Sequence, residues 1–297
     1  METLLLIALV VALFFAMLGR LLFGKQVPTF FATFVVLFLT SFFLQEKAEK
    51  QLLSTNKVRL EQWSANQCVS PKEVARSVFI AQGAAFSGHG TAFLLEGDVV
   101  VTNRHVADGI SSQGYFTDVK GNLQTGRLVH RADEATSPDL AFYALDSETT
   151  QERPALTLAN AKPVSGESLL VVGQTSGRDW FNTSVVMMTA YNHVNDGDSL
   201  LTAIAKNIYI LSLKILNPEV FVDGGAVANP LYALQGDIGS GNSGSPVVNC
   251  AGEVAGVVYG GTLLYFFEEE ITGAAVTLDG LKAELEKLPK NQPEDLT

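Results

Sequence analysis

The sequence predicts an all-β fold, a sandwich or a barrel, over residues 68–290 of a 297-residue chain, with two membrane-spanning helices ahead of it. Three observations lead there. Short runs of β-branched or alternating apolar residues recur between glycine, proline, asparagine and aspartate signals, which is the texture of antiparallel β structure. Sustained helical spacing is confined to residues 45–67 and to the C-terminal end. Hydrophobic residues make up 47% of the chain against 17% charged, and most of that excess lies before residue 45, so the remainder has an ordinary globular composition.

Residues 4–18 are uninterrupted apolar side chains, and Val27–Leu44 has only threonine and serine as polar members. A helix needs about 20 residues to cross hydrocarbon, with about 17 tolerated. The second run reaches that length unaided. The first does so once Thr3, Gly19 and the Leu21–Phe23 patch beyond Arg20 are included, since a terminal arginine can extend to the interface. A membrane hairpin over residues 1–44 is the expectation, and a single anchor or a re-entrant segment is the alternative. A cleaved signal peptide fits less well, because no basic residue precedes the first run and no small-x-small site precedes the second. The flanking charges divide on orientation. Arg20 and Lys25 would keep the connection in the cytoplasm, whereas Lys47, Lys50, Lys57 and Arg59 favour the reverse.

Residues 45–67 turn polar, with Leu52, Leu53, Leu60 and Trp63 near helical spacing, and predict a juxtamembrane helical linker. Beyond it, strands are expected at Ser77–Ala81, Gly90–Leu95, Val99–Thr102, Leu140–Leu145, Ser168–Val172, Ser184–Ala190, Ile208–Leu213, Pro246–Val248, Glu253–Tyr259 and Ala274–Leu278. Asp279–Leu288 predicts a helix with Leu281, Leu285 and Leu288 on one face, and residues 291–297 form a polar tail. A net charge of −11 argues against a nucleic-acid partner, because phosphate binding rests on clustered Lys and Arg. No metal or cofactor is expected.

The chemistry gathers at Gly236–Asn249, the stretch GDIGSGNSGSPVVN. A serine hydroxyl attacks poorly at neutral pH unless a base takes its proton and backbone N–H groups receive the developing oxyanion. Gly241 and Gly244 flank Asn242 and Ser243, and such a turn can aim the N–H groups of Gly241 and Ser243 into one pocket. A plain turn between strands has the same composition. Among four histidines, His105 follows the apolar strand Val99–Thr102 and opens a turn, which sets its ring at a strand end, although a structural histidine would also fit there. Asp139 stands at the mouth of the apolar Leu140–Leu145 strand, where it would fix the tautomer of a base or cap the strand.

Together, Thr102-Asn103-Arg104-His105-Val106, Asp139-Leu140-Ala141 and Gly241-Asn242-Ser243-Gly244-Ser245-Pro246 resemble the three signature blocks of the trypsin/chymotrypsin-like serine peptidases, nearest to their bacterial branch. The block from Gly241 through Gly261 is similar to glutamyl endopeptidases. The first two blocks are equally similar to the high-temperature-requirement type of protease. The resemblance implies two antiparallel six-stranded β-barrels with a C-terminal helix, a His105/Asp139/Ser243 triad, an oxyanion hole of the Gly241 and Ser243 N–H groups, and a polypeptide substrate. It also implies that Val258, Tyr259 and Gly260 pair with the substrate backbone as an edge strand.

Three departures qualify the resemblance. Asn242 stands where digestive members carry an aspartate that pairs with a newly cut N-terminus, so activation of that kind is not expected. Val258 replaces the histidine of the glutamyl endopeptidases, which argues against glutamate specificity. Asp237 lies six residues before Ser243, at the offset of the trypsin specificity acid, so a basic P1 residue remains an option beside a small or apolar one. Cys68 and Cys250 bracket the domain and form either a disulfide or two reduced thiols. A disulfide and the family habit both favour a periplasmic or extracellular domain. The rival reading is a catalytically silent peptidase-like domain that binds a peptide or partner at the membrane; the oligomeric state is open.

Overall fold

A computed structural model describes residues 50, 53–83, 89–110, 112–134, 136–146, 154–174, 181–191, 231–239, 241–261 and 273–289. The apolar runs over residues 1–44, the expected strand Ile208–Leu213 and the tail 291–297 lie outside them. No helix among the described residues is long and apolar enough to cross a membrane.

Twelve described strands close into two barrels. The first holds β1 (Val78–Gln82), β2 (His89–Leu95), β3 (Val99–Thr102), β4 (Gln113–Asp118), β5 (Leu123–Arg131) and β6 (Ala141–Leu145). The second holds β7 (Ser168–Gly173), β8 (Asn182–Tyr191), β9 (Leu231–Gln235), β10 (Pro246–Val248), β11 (Val254–Gly261) and β12 (Gly273–Thr277). All neighbours are antiparallel, in the order β1-β2-β3-β6-β5-β4 and, read the same way, β7-β8-β9-β12-β11-β10. The two barrels therefore share one topology although the sequence shows no repeat.

Burial explains why many strands read as continuous apolar runs rather than strict alternations. Phe79, Ala92, Leu94, Val100, Phe116 and Tyr143 fill the first barrel, and Leu169, Val171, Val186, Leu234, Val247 and Val258 fill the second. The opposite faces of the same strands, with Phe93, Val101, Phe142, Leu170, Val172, Val248, Val257 and Val276, meet in a third cluster drawn from both barrels. A strand buried on both faces has no polar face to show.

Among the described residues, three helices attend the barrels besides the one that carries His105. Residues 53–65 form α1, and this predicted linker packs into the body of the fold. Trp63 is buried in the shared cluster and its indole donates to the Val69 carbonyl at 2.8 Å. Asn56 completes the edge of β8 as a strand residue would, with Nδ2 donating to Thr183 O at 3.0 Å and Oδ1 accepting from Val185 N at 2.9 Å. Arg59 donates to the main-chain oxygen of Gln235 at 2.7 Å and to its side-chain oxygen at 3.1 Å. Helix α2 (Pro71–Ala75) follows, and a disulfide joins Cys68 to Cys250 in the turn after β10. The described residues from 53 onward accordingly fall within one compact unit.

Helix α4 (Leu278–Leu285) starts one residue before the predicted helix and is capped by the Thr277 hydroxyl, which accepts from Gly280 N. It buries Leu281, as its apolar face predicts, and also Glu284. The Glu284 carboxylate meets His130 Nε2 at 2.8 Å and Lys287 Nζ at 2.6 Å, and Lys287 also reaches Ser137 Oγ at 3.1 Å. The helix thus braces the segment that leads into Asp139. Burial alone would raise the Glu284 pKa, but hydrogen bonds from His130, Lys287 and Ser137 and the Lys287 charge outweigh it and hold the group below its ordinary 4.5.

These contacts predict three outcomes. Replacing Cys68 and Cys250 together by alanine opens a cross-link between residues 182 apart in sequence and should cost about 2–5 kcal/mol in denaturant unfolding of the full chain, while Asn56→Ala should cost about 1–3 kcal/mol by orphaning buried β8 groups. Because Glu284 is depressed in the fold, its stabilisation is present above pH 4.5 and drains as pH falls through the folded value. Glu284→Gln should therefore unfold more easily at neutral pH and lose less on acidification than the parent, as read from midpoints between pH 7 and 3.

Candidate active site

The predicted His105 turn is the first turn of a short helix, α3 (Arg104–Ile110), which buries Val106, Ala107 and Ile110 against the first barrel. The first N–H groups of a helix lack intrahelical acceptors. Here the His105 N–H donates to Asp139 Oδ1 at 3.0 Å, while its ring Nδ1 lies 2.5 Å from Asp139 Oδ2. One carboxylate thus caps the helix and fixes the ring. An ionised carboxylate only accepts, so Nδ1 carries the proton and Nε2 is left with its lone pair.

Asp139 sits before β6 and is itself anchored. Asn103 Nδ2 donates to its main-chain oxygen at 2.9 Å, and Arg104 Nε lies 3.7 Å from Oδ1. Its carboxylate is 4% exposed and the His105 side chain 29%. The carboxylate is therefore shielded while the imidazole stays partly open to solvent. In sequence Arg104 is only a member of the His105 motif; the fold sets its charge beside the aspartate.

Ser243 comes from the β9–β10 connection, the topological counterpart of the β3–β4 connection that carries His105. Its hydroxyl donates to the Tyr259 carbonyl at 3.2 Å, and the Tyr259 ring stands edge-on to the His105 ring with centroids 5.9 Å apart. Tyr259 on β11 is thus the neighbour common to the serine and the histidine. In this resting arrangement the serine proton faces Tyr259.

The loop before the serine is locked from within. Gly241 has φ +94° and Gly244 φ +86°, both left-handed positions suited to glycine. Asn242 N donates to Gly239 O at 3.1 Å, and Asn242 Oδ1 accepts from Gly239 N at 3.0 Å. Gly244 N donates to Val258 O at 2.9 Å. Among the described residues, the N–H groups of Gly241 and Ser243 make no hydrogen bond to a protein acceptor. Alternate amides along the loop are therefore consumed, and the two between them stay open.

The remaining predicted residues divide. Val258 does not offer its main chain to a substrate: its carbonyl receives Gly244 N and its N–H goes to Ser245 O at 2.9 Å, while its side chain fills the second barrel. Of the other two residues expected on that edge, Tyr259 meets Ser243 and His105, and Gly260 has open space where a side chain would point. Asp237 is 1% exposed just after β9, its N–H donating to Ser184 Oγ at 3.1 Å. No group of three or more potential metal ligands occurs among the described residues.

Comparison with known proteins agrees with this architecture. The trypsin-like peptidase domain family matches residues 90–257, more than half of the chain. The serine protease Rv3671c of Mycobacterium tuberculosis is 24% identical over 204 residues, which cover 69% of this chain and 43% of that protein. The chain thus spans less than half the length of that relative. The crystal structure of the active form of the Rv3671c protease superposes with a TM-score of 0.53 at 21% identity, covering 74% of this chain and 84% of that one. The serine endoprotease from Yersinia pestis gives 0.51 at 19% identity, covering 74% and 66%. By its two six-stranded barrels and by the family matched across the strands that carry them, the chain belongs to the trypsin-like peptidase domain family.

Proposed function

We propose that this chain is a membrane-anchored serine endopeptidase that cleaves polypeptide through His105, Asp139 and Ser243. One observation carries the reading: a buried carboxylate holds both the ring and the backbone of His105, and the Tyr259 residue that faces that ring also receives the hydroxyl of Ser243, whose flanking amides are left open. Ser243 Oγ bonds to the scissile carbonyl carbon as His105 Nε2 takes its proton, and Asp139 stabilises the imidazolium. The oxyanion is received by Gly241 N and Ser243 N, each worth about 3 kcal/mol in comparable chemistry. The imidazolium protonates the leaving amine; water then enters by the same route to free the acid.

Tyr259 O supplies a trigger for this sequence. Its carbonyl holds the serine proton in the resting arrangement, and it is also the acceptor that an extended substrate's N–H would meet on the β11 edge. Substrate pairing would compete for that carbonyl and turn the hydroxyl toward Nε2. Gly260, with its open face, lets the substrate chain approach closely. The absence of a histidine at Val258 supports small or apolar P1 residues over glutamate.

The membrane anchor rests on the apolar runs at residues 4–18 and 27–44. The Cys68–Cys250 bond supports a domain on the periplasmic or extracellular side, where disulfides persist.

In membranes or detergent, a fluorophosphonate probe should label Ser243 in the parent and not in Ser243→Ala or His105→Ala. Asp139→Asn should keep the fold yet lower kcat by on the order of 10^3- to 10^4-fold, because the ring loses the partner that fixes its tautomer. Folded parent protein that binds peptides but is neither labelled nor active would instead establish the silent-binding reading.

A further inference from the structure

Thr91 sits on β2, in the first barrel, yet its polar atoms serve the second. Strand β2 pairs with β3 only through Phe93, Leu94 and Leu95. Two residues earlier, the main chain of Thr91 is therefore released from that partner. Its N–H donates to Ser243 O at 2.8 Å, and its carbonyl accepts from the Thr102 hydroxyl at 2.7 Å, three residues before His105. The side chain is fully buried and turns the same way. Thr91 Oγ1 donates to Gly241 O at 2.8 Å and accepts from Gln174 N, beyond the end of β7, at 3.0 Å. An amide N–H can only donate, so the Gln174 contact occupies a lone pair and leaves the hydroxyl proton for Gly241 O.

These bonds fall in a definite pattern along the serine loop. The peptide linking residues 241 and 242 is held at its carbonyl by Thr91 Oγ1 and at its N–H by Gly239 O; the peptide linking 243 and 244 is held at its carbonyl by Thr91 N and at its N–H by Val258 O. Between and before these two pinned planes lie the open N–H groups of Ser243 and Gly241. The local glycines fit this strut. A Cβ on Gly244 would collide with Thr91 O, and one on Gly173 would meet Ser245 Oγ and Thr91 Oγ1.

We propose that Thr91 is a positioning residue for the oxyanion site: from the first barrel it sets the two peptide planes that aim the Ser243 and Gly241 N–H groups, and through Thr102 it ties that setting to the strand carrying His105. The inference rests on the endopeptidase reading above. Thr91 touches no reacting atom. It acts on the transition state because only the developing oxyanion needs both amides aimed together, whereas ground-state binding along Tyr259 and Gly260 does not.

The test compares Thr91→Val, which keeps the shape and removes the hydroxyl, with Thr91→Ser, which restores it, in the full chain. Steady-state cleavage of a peptide substrate should show kcat of Thr91→Val reduced about 10-fold or more with KM within about threefold, and Thr91→Ser recovering most of the loss. Affinity for a peptidyl trifluoromethyl ketone, which forms a tetrahedral adduct, should fall by the same factor as kcat, while affinity for the cleaved product peptide stays put. The low-field proton resonance of the His105–Asp139 hydrogen bond should be unmoved, a readout that general loosening of the fold would shift. If Thr91→Val fails to fold, Thr91→Ala carries the same comparison. The proposal is overturned if the hydroxyl-less variant keeps its kcat, if ketone and product affinities fall together, or if serine does not rescue. An unlabelled, inactive parent would instead defeat the endopeptidase reading itself, so the two failures remain distinct.

Discussion

The constraint on which everything else depends is that the proposed reacting groups come from two separately closed barrels. His105 and Asp139 leave the first and Ser243 leaves the second, so the proposed chemistry would require the barrels to hold one relative placement. The shared apolar cluster does the coarse part. Phe93, Val101 and Phe142 from one side meet Leu170, Val248 and Val257 from the other, all buried at 0% exposure. Burying such side chains is worth about 1.5–3 kcal/mol each, but apolar contact is tolerant of sliding. Directional bonds supply the fine register. Thr91 N to Ser243 O and Thr91 Oγ1 to Gly241 O cross the seam at the place where an error of orientation would cost most.

Much of this was legible in the sequence, and the residues show why. His105, Asp139 and Ser243 announce themselves because each is a chemically costly residue placed where an apolar strand ends. The nine described strands that were expected are dominated by valine, leucine and alanine. β4 and β5 were missed, and the cause is physical. Gly114 and Gly126 lie inside them because a Cβ at the first would strike the Phe116 ring and at the second the Ala144 carbonyl. A pattern reading takes such glycines for turns, and the sheet needs them for close approach. β9 hides because its five residues, LYALQ, are a helix-friendly string made into a strand by partners on both sides.

Polar residues were the harder class. Asn56, Arg59, Thr91 and Glu284 read as ordinary solvated side chains, since nothing local marks a polar group that will be matched across a distance of a hundred residues. Their partners are main-chain groups or charges contributed by other elements, and only the fold brings them together. The consequence is largest for α1, which reads as a spacer by composition. Arg59 grips Gln235, the last residue of β9 and the one immediately before Gly236-Asp237, while the disulfide holds the other end of the linker to the turn after β10. Both ends of the serine loop's supporting strands are thereby tied to the segment that leads back toward residues 1–44.

Asn242 shows how such a site can be built without an N-terminal trigger. The resemblance singles it out as the residue replacing an aspartate that awaits a new chain end. In the fold it is 1% exposed, and its side-chain oxygen already has a donor, the Gly239 N–H, while its own N–H returns to Gly239 O. An aspartate there would bring a buried charge in need of a cation; a neutral amide closes the loop on itself. The Gly241 and Ser243 amides stand open without any new chain end, and on the proposed mechanism what remains to be supplied is the release of the Ser243 hydroxyl from Tyr259, which would fall to the substrate.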